Sequence, residues 1–307
     1  MDWTKLLSSK RLGRKQADSI APGRSPFQQD FDRIVFSSAF RRLQDKAQVF
    51  PLAENDYVRT RLTHSLEASC VGRSLGAQAG EYLCRKYNLN MEASDIGAII
   101  GAAALAHDIG NPPLGHSGEE AVRYWFKHSS TVAADREKMT DLERADFERF
   151  EGNAQGFRVL ARLQMPDNPG GMQLTCATLG AFTKYPAESK LDNPPEGVVA
   201  KKFNFFQDDK ELFTEVAETT GMKRYPSGNY CWVRHPLSFL VEAADDICYR
   251  IVDFEDGCML KIITYDELEE CFLAVIDDKE IKARVDGIDS EVRKVEFLRA
   301  KALGKLI

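Results

Sequence analysis

The chain has 307 residues, enough for one large domain or two modest ones. Hydrophobic residues make up 43% and charged residues 29%, which is typical of a globular protein and excludes a disordered chain. No stretch approaches the roughly 18 apolar residues of a membrane helix, and the segment MDWTKLLSSKRLGRK lacks the apolar block of a signal peptide. The net charge of −6 argues against a broad basic surface for nucleic acid, although it leaves room for a local cationic pocket.

The seven cysteines are scattered along the chain, odd in number, and contain no CxxC pair. This usage predicts reduced thiols that mostly fill the core of a cytoplasmic protein with no membrane association. The cysteines are Cys70, Cys84, Cys176, Cys231, Cys248, Cys258 and Cys271.

Apolar residues at helical spacing dominate the first half of the chain. They predict helices over 30–43, 63–87, 95–107 and 117–126. The third of these helices ends at Gly110, which is followed by the helix-breaking sequence Asn111-Pro112-Pro113. For the fourth helix, Ser117 and Glu120 fit the capping-box pattern.

The second half of the chain returns to helical periodicity after a polar surface excursion, partly helical, over 128–149. Further helices are predicted over 153–163, 174–183 and 236–254, with Pro236 at the favoured first position, and the last 40 residues read as charged amphipathic helix. Residues 185–207 should form a loop with a small β-hairpin near Phe203–Phe206. Strand signals are few and no GxGxxG or GxxxxGK[ST] motif occurs, so the sequence predicts an all-α fold.

Histidines beside carboxylates are the strongest chemical signal. Of the five histidines, His64 lies in RTRLTHSLE, His107 precedes Asp108 in LAHDIGN, and His116 closes the same segment. Imidazole and carboxylate ligands together suit Mg, Mn, Fe, Co, Ni or Zn. An unpaired aspartate at the end of a buried helix would be costly, and a metal ion removes that cost. A second histidine and a distant aspartate would complete a set of two histidines and two aspartates.

Each of these residues also has an ordinary structural explanation. A His-Asp doublet is usually a salt-bridged helix end, and a lone histidine such as His64 is usually a satisfied core or surface residue. The joint occurrence of these motifs, with Asn-Pro-Pro and Gly-His beside them, is what favours a metal site.

Two further groups of polar residues share a helix face. Asp245, Tyr249 and Asp253 are spaced four apart, and because the rest of their helix is apolar, this face is expected to line a cleft rather than meet solvent. His116 and Glu119 are three apart at a helix start, so the carboxylate can fix the tautomer of the imidazole for general acid–base work. A simple ion pair near a helix cap explains their spacing equally well.

The order of these motifs resembles the HD superfamily, and within it the bacterial dGTPase-like triphosphohydrolases. The resemblance runs from about Arg14 to the end of the chain. It implies an all-α HD fold and hydrolysis of a deoxynucleoside triphosphate, with dGTP as the leading candidate, to deoxynucleoside and tripolyphosphate. The strings that carry it are FRRLQDKAQVF, NDYVRTRLTHSLE, AHDIGNPPLGHSGEE, FEGNAQGFR, ATLGAFTKYP and EAADDICYRIVDFEDG.

The same resemblance assigns roles to individual residues. The implied metal ligands are His64, His107, Asp108 and Asp245, with Asp245 preferred over Asp246 because Tyr249 and Asp253 follow it at the family's spacing. The implied catalytic pair is His116 with Glu119. The implied substrate contacts are Arg61 on the α-phosphate, Gln48 and Asp253 on the 3′-hydroxyl, Tyr249 against the deoxyribose, and Lys184, Tyr185 and Lys202 near the triphosphate, with Asn153 shaping the site. Taken alone, each lysine or arginine would read as a solvated surface charge.

The expected cofactor is a divalent metal ion, Mg or Mn first, with Co, Ni, Fe or Zn compatible with the same ligands. Expected partners are the deoxynucleoside triphosphate, single-stranded DNA as in some relatives, and further copies of the chain, often a hexamer in relatives. We expect an N-terminal helical segment at 1–60 that contributes to the nucleotide site, an HD core at 61–257, and a C-terminal helical segment at 258–307 that is truncated relative to the family.

Two alternative functions stay open at this point. One is another HD phosphohydrolase activity, such as a 5′-deoxynucleotidase or a cyclic-nucleotide phosphodiesterase. The other is a regulatory HD protein that binds single-stranded nucleic acid without turnover. The intact ligand set and catalytic pair both count against this alternative.

Overall fold

The computed structural model describes residues 1–17, 23–50, 58–197, 201–226 and 229–307, and it confirms the all-α prediction. Within these ranges the only β-contacts are isolated bridges, such as that between Ala187 and Cys231. None of the described helices combines the length and apolar character that a membrane-spanning helix needs. In chain order the α-helices are α1 (Trp3–Leu6), α2 (Pro26–Val35), α3 (Ser38–Arg41), α4 (Arg61–Tyr87), α5 (Ala93–Ala106), α6 (Gly115–His128), α7 (Ala133–Lys138), α8 (Asp141–Glu148), α9 (Gly152–Arg158), α10 (Cys176–Phe182), α11 (Lys210–Thr220), α12 (Ser238–Met259), α13 (Tyr265–Ile276), α14 (Lys279–Asp286) and α15 (Glu291–Leu306).

Helix α5 is the centre of the larger hydrophobic core and packs against α2, α4, α10 and α12. Small residues let α4 and α5 approach closely. A Cβ added at Gly76 would lie 2.8 Å from the Cα of Gly97, and one added at Gly97 would lie 2.8 Å from the carbonyl oxygen of Arg73. This close crossing brings the C-terminal end of α5, where His107 lies, beside the first turns of α4.

Helices α13, α14 and α15 form a second apolar cluster that includes Ile251 of α12. Helix α12 therefore belongs to both clusters, because its first half packs in the main core. Charged side chains also join the helices here. Arg59, just before α4, contacts Glu255 and Asp256 of α12, and Glu255 accepts from Arg299 of α15 at 2.8 Å.

A buried ion pair fixes the N-terminal segment to the core. Arg11 and Asp30 have fully buried side chains, and their charged groups are 2.6 Å apart. Asp30 also accepts from the backbone nitrogen and the hydroxyl of Thr175, at 2.9 and 2.6 Å. Burial raises the pKa of Asp30 in spite of Arg11, so the hydrogen bonds are needed to keep this buried pair satisfied.

The prediction of one continuous helix over 30–43 is wrong, because helix α2 ends at Val35 and the helical conformation is interrupted at Phe36. Helix α2 begins earlier, at Pro26, where Ser25 and Gln28 form a capping box. The chain restarts as α3 because the side chain of Ser37 accepts from the backbone nitrogen of Phe40. The local capping bonds outcompete the apolar periodicity that suggested one helix.

Two predicted helix starts are displaced. Helix α6 begins at Gly115 rather than at Ser117, after Leu114 in the left-handed conformation, and Ser117 forms no cap. Helix α12 begins at Ser238, two residues after Pro236, because the Ser238 hydroxyl donates to the His235 carbonyl at 2.8 Å and closes a turn first.

The expected hairpin near Phe203–Phe206 is not formed, since these described residues contain no strand. Aromatic packing holds the segment instead. The ring of Phe205 stacks on Phe213 with centroids 4.6 Å apart, and the backbone nitrogen of Asn204 donates to the carbonyl oxygen of Ala187.

The polar segment 128–149 contains the two short helices α7 and α8, and α7 buries none of its residues.

His235 provides a pH test of the fold. Its ring is fully buried, with Nε2 donating to the Leu6 carbonyl at 3.0 Å and Nδ1 accepting from the Leu237 nitrogen at 3.2 Å. Burial lowers the pKa of His235 to about 4, whereas an unfolded histidine titrates near pH 6.5. The unfolded chain therefore binds this proton first, and stability falls as the pH drops from about 6.5 to about 4. We expect His235 to contribute a loss of about 2 kcal/mol between pH 7.5 and pH 5.

Urea unfolding of the wild type and of His235→Gln at the two pH values measures this contribution. The variant should be less stable at pH 7.5 and should lose less stability on acidification. Equal losses in the two proteins would contradict the assignment.

Candidate active site

Three helices bring predicted metal ligands together. His64 lies one turn into α4, His107 follows α5, and Asp245 lies in α12. Oδ1 of Asp245 is 2.9 Å from Nε2 of His64 and 3.4 Å from Nε2 of His107. The three residues offer ligand atoms that all lie within 4.8 Å of one another. Asp246, the neighbour of Asp245, is exposed and is not part of this group.

Asp108 adjoins this group but is also held by other residues. Its Oδ2 atom lies 3.6 Å from Nε2 of His107. Its Oδ1 atom is 2.8 Å from Nη1 of Arg61 and accepts from the side-chain amide of Asn111. The Oδ2 atom is buried and has no hydrogen-bond partner, which is costly for a carboxylate oxygen.

The chemistry of these atoms fits a divalent cation. Nδ1 of His107 lies 2.6 Å from the carbonyl oxygen of Ala104, a contact that requires the proton on Nδ1 and leaves Nε2 with a lone pair. In the neutral ring that lone pair faces oxygens of Asp245 and Asp108, and Nε2 of His64 also lies at hydrogen-bond distance from Oδ1 of Asp245, so two imidazole nitrogens and two carboxylates meet at one point. Burial raises the pKa of Asp245, but the lowering effect of His107 and His64 is larger, so the net shift of the pKa is downward. Asp245 is therefore ionised, and a cation would satisfy all of these acceptors.

The centre opens into a cleft of about 390 Å³. Most of the residues that the sequence singled out line this cleft. His64 is buried and does not line the cleft, and Asp253 lies one turn further along α12 than the lining residue Tyr249. The predicted residues that line the cleft are Gln48, Arg61, His107, Asp108, His116, Glu119, Asn153, Lys184, Tyr185, Lys202, Asp245 and Tyr249.

His116 and Glu119 form a pair on one wall. Nδ1 of His116 is 2.9 Å from Oε2 of Glu119, and the side chain of His116 is 83% exposed whereas that of Glu119 is 3% exposed. Glu119 is fixed from behind, because its Oε1 atom accepts from the backbone nitrogen of Gly152 at 2.7 Å. The pair therefore presents an imidazole to the cleft with one nitrogen already engaged, the arrangement that general acid–base chemistry requires.

Among the described lining residues, Arg61, Lys184 and Lys202 supply the lysine and arginine charges, and each is paired with a carboxylate. Arg61 contacts Asp108, Lys184 contacts Glu242 at 3.0 Å, and Lys202 contacts Glu151 at 3.1 Å. Burial lowers the pKa of Lys184, but Glu242 and nearby groups raise it more, so this lysine stays charged.

Sequence reasoning missed several partners of these residues. Asn111 was read only as a helix breaker, although it follows Asp108 by three positions and holds it. Glu242 precedes Asp245 by three positions, so helical spacing was a usable signal for its presence on the same face. Arg123 follows Glu119 by four positions in the same helix, so helical spacing was a usable signal for this contact too, whereas Glu151 comes from a distant segment and gave no local signal.

Comparisons with known proteins agree with this architecture. Residues 61–161 match the family model described as HD domain. A deoxyguanosinetriphosphate triphosphohydrolase-like protein of Synechocystis sp. is 49% identical over 319 residues, which cover the whole of this chain and 70% of that protein. Proteins of the same description from Pseudomonas aeruginosa and Listeria monocytogenes are 46% and 37% identical, and the chain covers 69% of each.

The fold, the match and the metal-ligating side chains define a hydrolase of the HD class, whose domains bind divalent metal ions. The chain belongs to the family of deoxyguanosinetriphosphate triphosphohydrolase-like proteins. The family expected from the sequence motifs is thereby confirmed.

Removing the charge of Asp245 tests the metal centre. At an ion concentration a hundred times the dissociation constant, bound Mn²⁺ should stabilise the wild type by about 2.7 kcal/mol. Asp245→Asn should lose most of this stabilisation, because Oδ1 of Asp245 contacts both histidines. Thermal unfolding with and without MnCl₂ measures the effect. The matched control is Asp246→Asn, which should respond to Mn²⁺ as the wild type does; equal responses from all three proteins would refute the site.

Gly152 tests the support behind the catalytic pair. A Cβ at this position would lie 2.1 Å from Oδ1 of Asn111 and 3.0 Å from Oε1 of Glu119. Gly152→Ala should therefore displace both side chains, cost about 1–3 kcal/mol of stability, and lower the rate of phosphate-ester hydrolysis by at least about tenfold. Gly304→Ala is the control, because a Cβ there meets nothing within 4 Å. Wild-type rates for Gly152→Ala would show that this contact does not organise the site.

Proposed function

We propose that the protein hydrolyses deoxynucleoside triphosphates to deoxynucleoside and tripolyphosphate, with dGTP as the first candidate substrate. The observation that carries this proposal is the joint placement of a metal-ligating centre, a paired histidine and three cationic side chains around one cleft. The printed names of the relatives support the choice of substrate.

His64, His107, Asp108 and Asp245 would hold the ion, Mg²⁺ or Mn²⁺ first. When bound, the ion supplies Lewis-acid polarisation of a phosphate oxygen. Arg61, which contacts Asp108, would bind the phosphate nearest the ion. Lys184, Tyr185 and Lys202 line the same cleft and would bind the remaining phosphates.

Gln48 and Tyr249, which line the same cleft, would bind the sugar. Oε1 of Gln48 is buried and has no hydrogen-bond partner, so it can accept from a 3′-hydroxyl. Tyr249 is 53% exposed and lines the cleft, and a deoxyribose packed against its ring would leave no room for a 2′-hydroxyl. Asp253, one turn further along α12, would contribute to the 3′-hydroxyl contact from the edge of the site.

The proton chemistry is assigned to His116. Its Nδ1 is engaged by Glu119, so Nε2 is available to the substrate. Attack of water on the α-phosphorus breaks the bond to O5′. The water oxygen stays with the tripolyphosphate, and one water proton ends on O5′ as the 5′-hydroxyl, with His116 moving the proton to or from the reacting oxygens. Arg61 and the lysines offset the charge of the departing tripolyphosphate.

The three cationic side chains favour this reaction over a 5′-deoxynucleotidase or a cyclic-nucleotide phosphodiesterase. A monophosphate or cyclic monophosphate offers a single phosphate group. A triphosphate chain offers a partner for each of Arg61, Lys184 and Lys202.

Product analysis tests the proposed reaction. Incubation of dGTP with the protein and MgCl₂ or MnCl₂ should give deoxyguanosine and tripolyphosphate in equal amounts, resolved by ion-exchange chromatography and phosphorus NMR. The same assay with GTP should be much slower because of Tyr249. Deoxyguanosine monophosphate with pyrophosphate, or the diphosphate with orthophosphate, would reject the proposal.

Substitution of the catalytic histidine tests its role separately. His116→Ala should lower kcat by about 10²–10⁴-fold, the usual contribution of a general acid or base. Binding of Mn²⁺ should be unchanged, since His116 is not among the four proposed ligands. His128→Ala, which removes an exposed histidine from the end of the same helix, serves as the matched control. A kcat for His116→Ala within twofold of the wild type would exclude this residue from the chemistry.

A further inference from the structure

Both lysines of the cleft are held in the same way. Lys184 contacts Oε1 of Glu242 at 3.0 Å, and the other oxygen of Glu242 contacts Arg234 at 2.8 Å. Lys202 contacts Glu151 at 3.1 Å, and the other oxygen of Glu151 contacts Arg123 at 2.9 Å. Each carboxylate therefore bridges one lysine that lines the cleft and one arginine that does not.

The arginine of the Glu242 bridge is firmly fixed. Arg234 is buried, and it also donates to the hydroxyl and the carbonyl oxygen of Ser238 at 3.2 and 3.3 Å. Its guanidinium carbon lies 4.1 Å from the centre of the Phe239 ring. The side chain of Lys184, by contrast, is 32% exposed and faces the cleft. Of the two cations on Glu242, the lysine is the one that is free to change partner.

The energetics favour such an exchange. A partly exposed lysine–carboxylate pair contributes only about 1 kcal/mol or less. A carboxylate that lost its last cation would be far more costly, but Glu242 keeps Arg234 when Lys184 leaves. A polyphosphate chain carries several charges and makes charge-assisted bonds, so it can draw Lys184 away from a single carboxylate.

We propose that Glu242 is an internal competitor for Lys184. It holds the lysine in the free protein, yields it to the phosphate chain of a bound nucleotide, and recaptures it as tripolyphosphate leaves. This inference rests on the proposed function and adds a role in product release. A polyanion held by an ion and three cationic side chains would dissociate slowly. Because tripolyphosphate must break the Lys184–Glu242 contact to bind Lys184, the affinity of the cleft for tripolyphosphate is lowered by the free energy of that contact.

The variant E242Q isolates this competition. Glutamine keeps the shape of the side chain and an oxygen that accepts from Arg234, but it has no charge with which to retain Lys184. Calorimetric titration with sodium tripolyphosphate, at a fixed excess of MgCl₂, should show binding about three- to tenfold tighter than in the wild type. The KM for dGTP should fall as well, and kcat should not rise, because product release becomes slower.

A matched control is available elsewhere in the chain. Glu215 contacts Lys10 at 2.9 Å, and the two side chains are 31% and 25% exposed, close to the values of 27% and 32% for Glu242 and Lys184. Neither Glu215 nor Lys10 lines the cleft. E215Q should therefore bind tripolyphosphate as the wild type does.

Several outcomes would overturn the inference. If Glu242 only positions Lys184 for binding, E242Q will bind tripolyphosphate more weakly, the opposite sign. In a double-mutant cycle, E242Q should not change the affinity for tripolyphosphate once Lys184 has been replaced by alanine. If E242Q still tightened binding in that background, the gain would come from general repulsion between Glu242 and the anion. Should E242Q fail to fold, Glu242→Asp, which draws the carboxylate back by one methylene, should give a smaller tightening, and weaker binding there would equally contradict the inference.

The titration does not depend on turnover. A protein that gave other nucleotide products would fail the proposed function while still allowing this measurement. Conversely, an unchanged affinity for tripolyphosphate in E242Q would remove the competitor role and leave the product analysis untouched.

Discussion

The arrangement depends on one physical constraint, namely that two imidazoles and two carboxylates from three separate helical segments meet at nitrogen–oxygen distances of 2.9 to 3.6 Å. Oδ1 of Asp245 lies between two imidazole nitrogens, and Oδ2 of Asp108 has no partner. The carbonyl of Ala104 engages Nδ1 of His107 and so prevents its Nε2 from acting as the donor in a neutral ring. The unpartnered buried oxygen of Asp108 is costly on its own, and a divalent cation held by the four side chains would remove that cost.

The fold supplies this cluster through the close crossing of α4 and α5 and through α12, which belongs to both apolar cores. Glycines at the crossing allow the helix ends to converge, and the Arg59 contacts with Glu255 and Asp256 tie the start of α4 to α12. The position of His64 relative to Asp245 is thus set from two sides. Around this cluster the cleft carries cationic side chains that are paired with carboxylates, and we propose that one of them, Lys184, exchanges Glu242 for the phosphate chain.

The sequence predicted the helical class and most helices because apolar periodicity is a local property. It misplaced boundaries where a side-chain cap or a turn decided the outcome, as at Ser37 and at Leu114. His107 and Asp108 were visible as neighbours, whereas His64 and Asp245 are 181 positions apart and were grouped only through a family resemblance. Glu151 escaped because its contacts with Arg123 and Lys202 arise from packing between segments that are distant in sequence.

The central claim is that His64, His107, Asp108 and Asp245 converge on one divalent cation. The most direct measurement is anomalous diffraction at the manganese edge from crystals grown with MnCl₂. The account predicts a single strong peak within about 2.0–2.3 Å of a nitrogen of each histidine and an oxygen of each aspartate. A peak elsewhere, or none among these four side chains at saturating Mn²⁺, would contradict it.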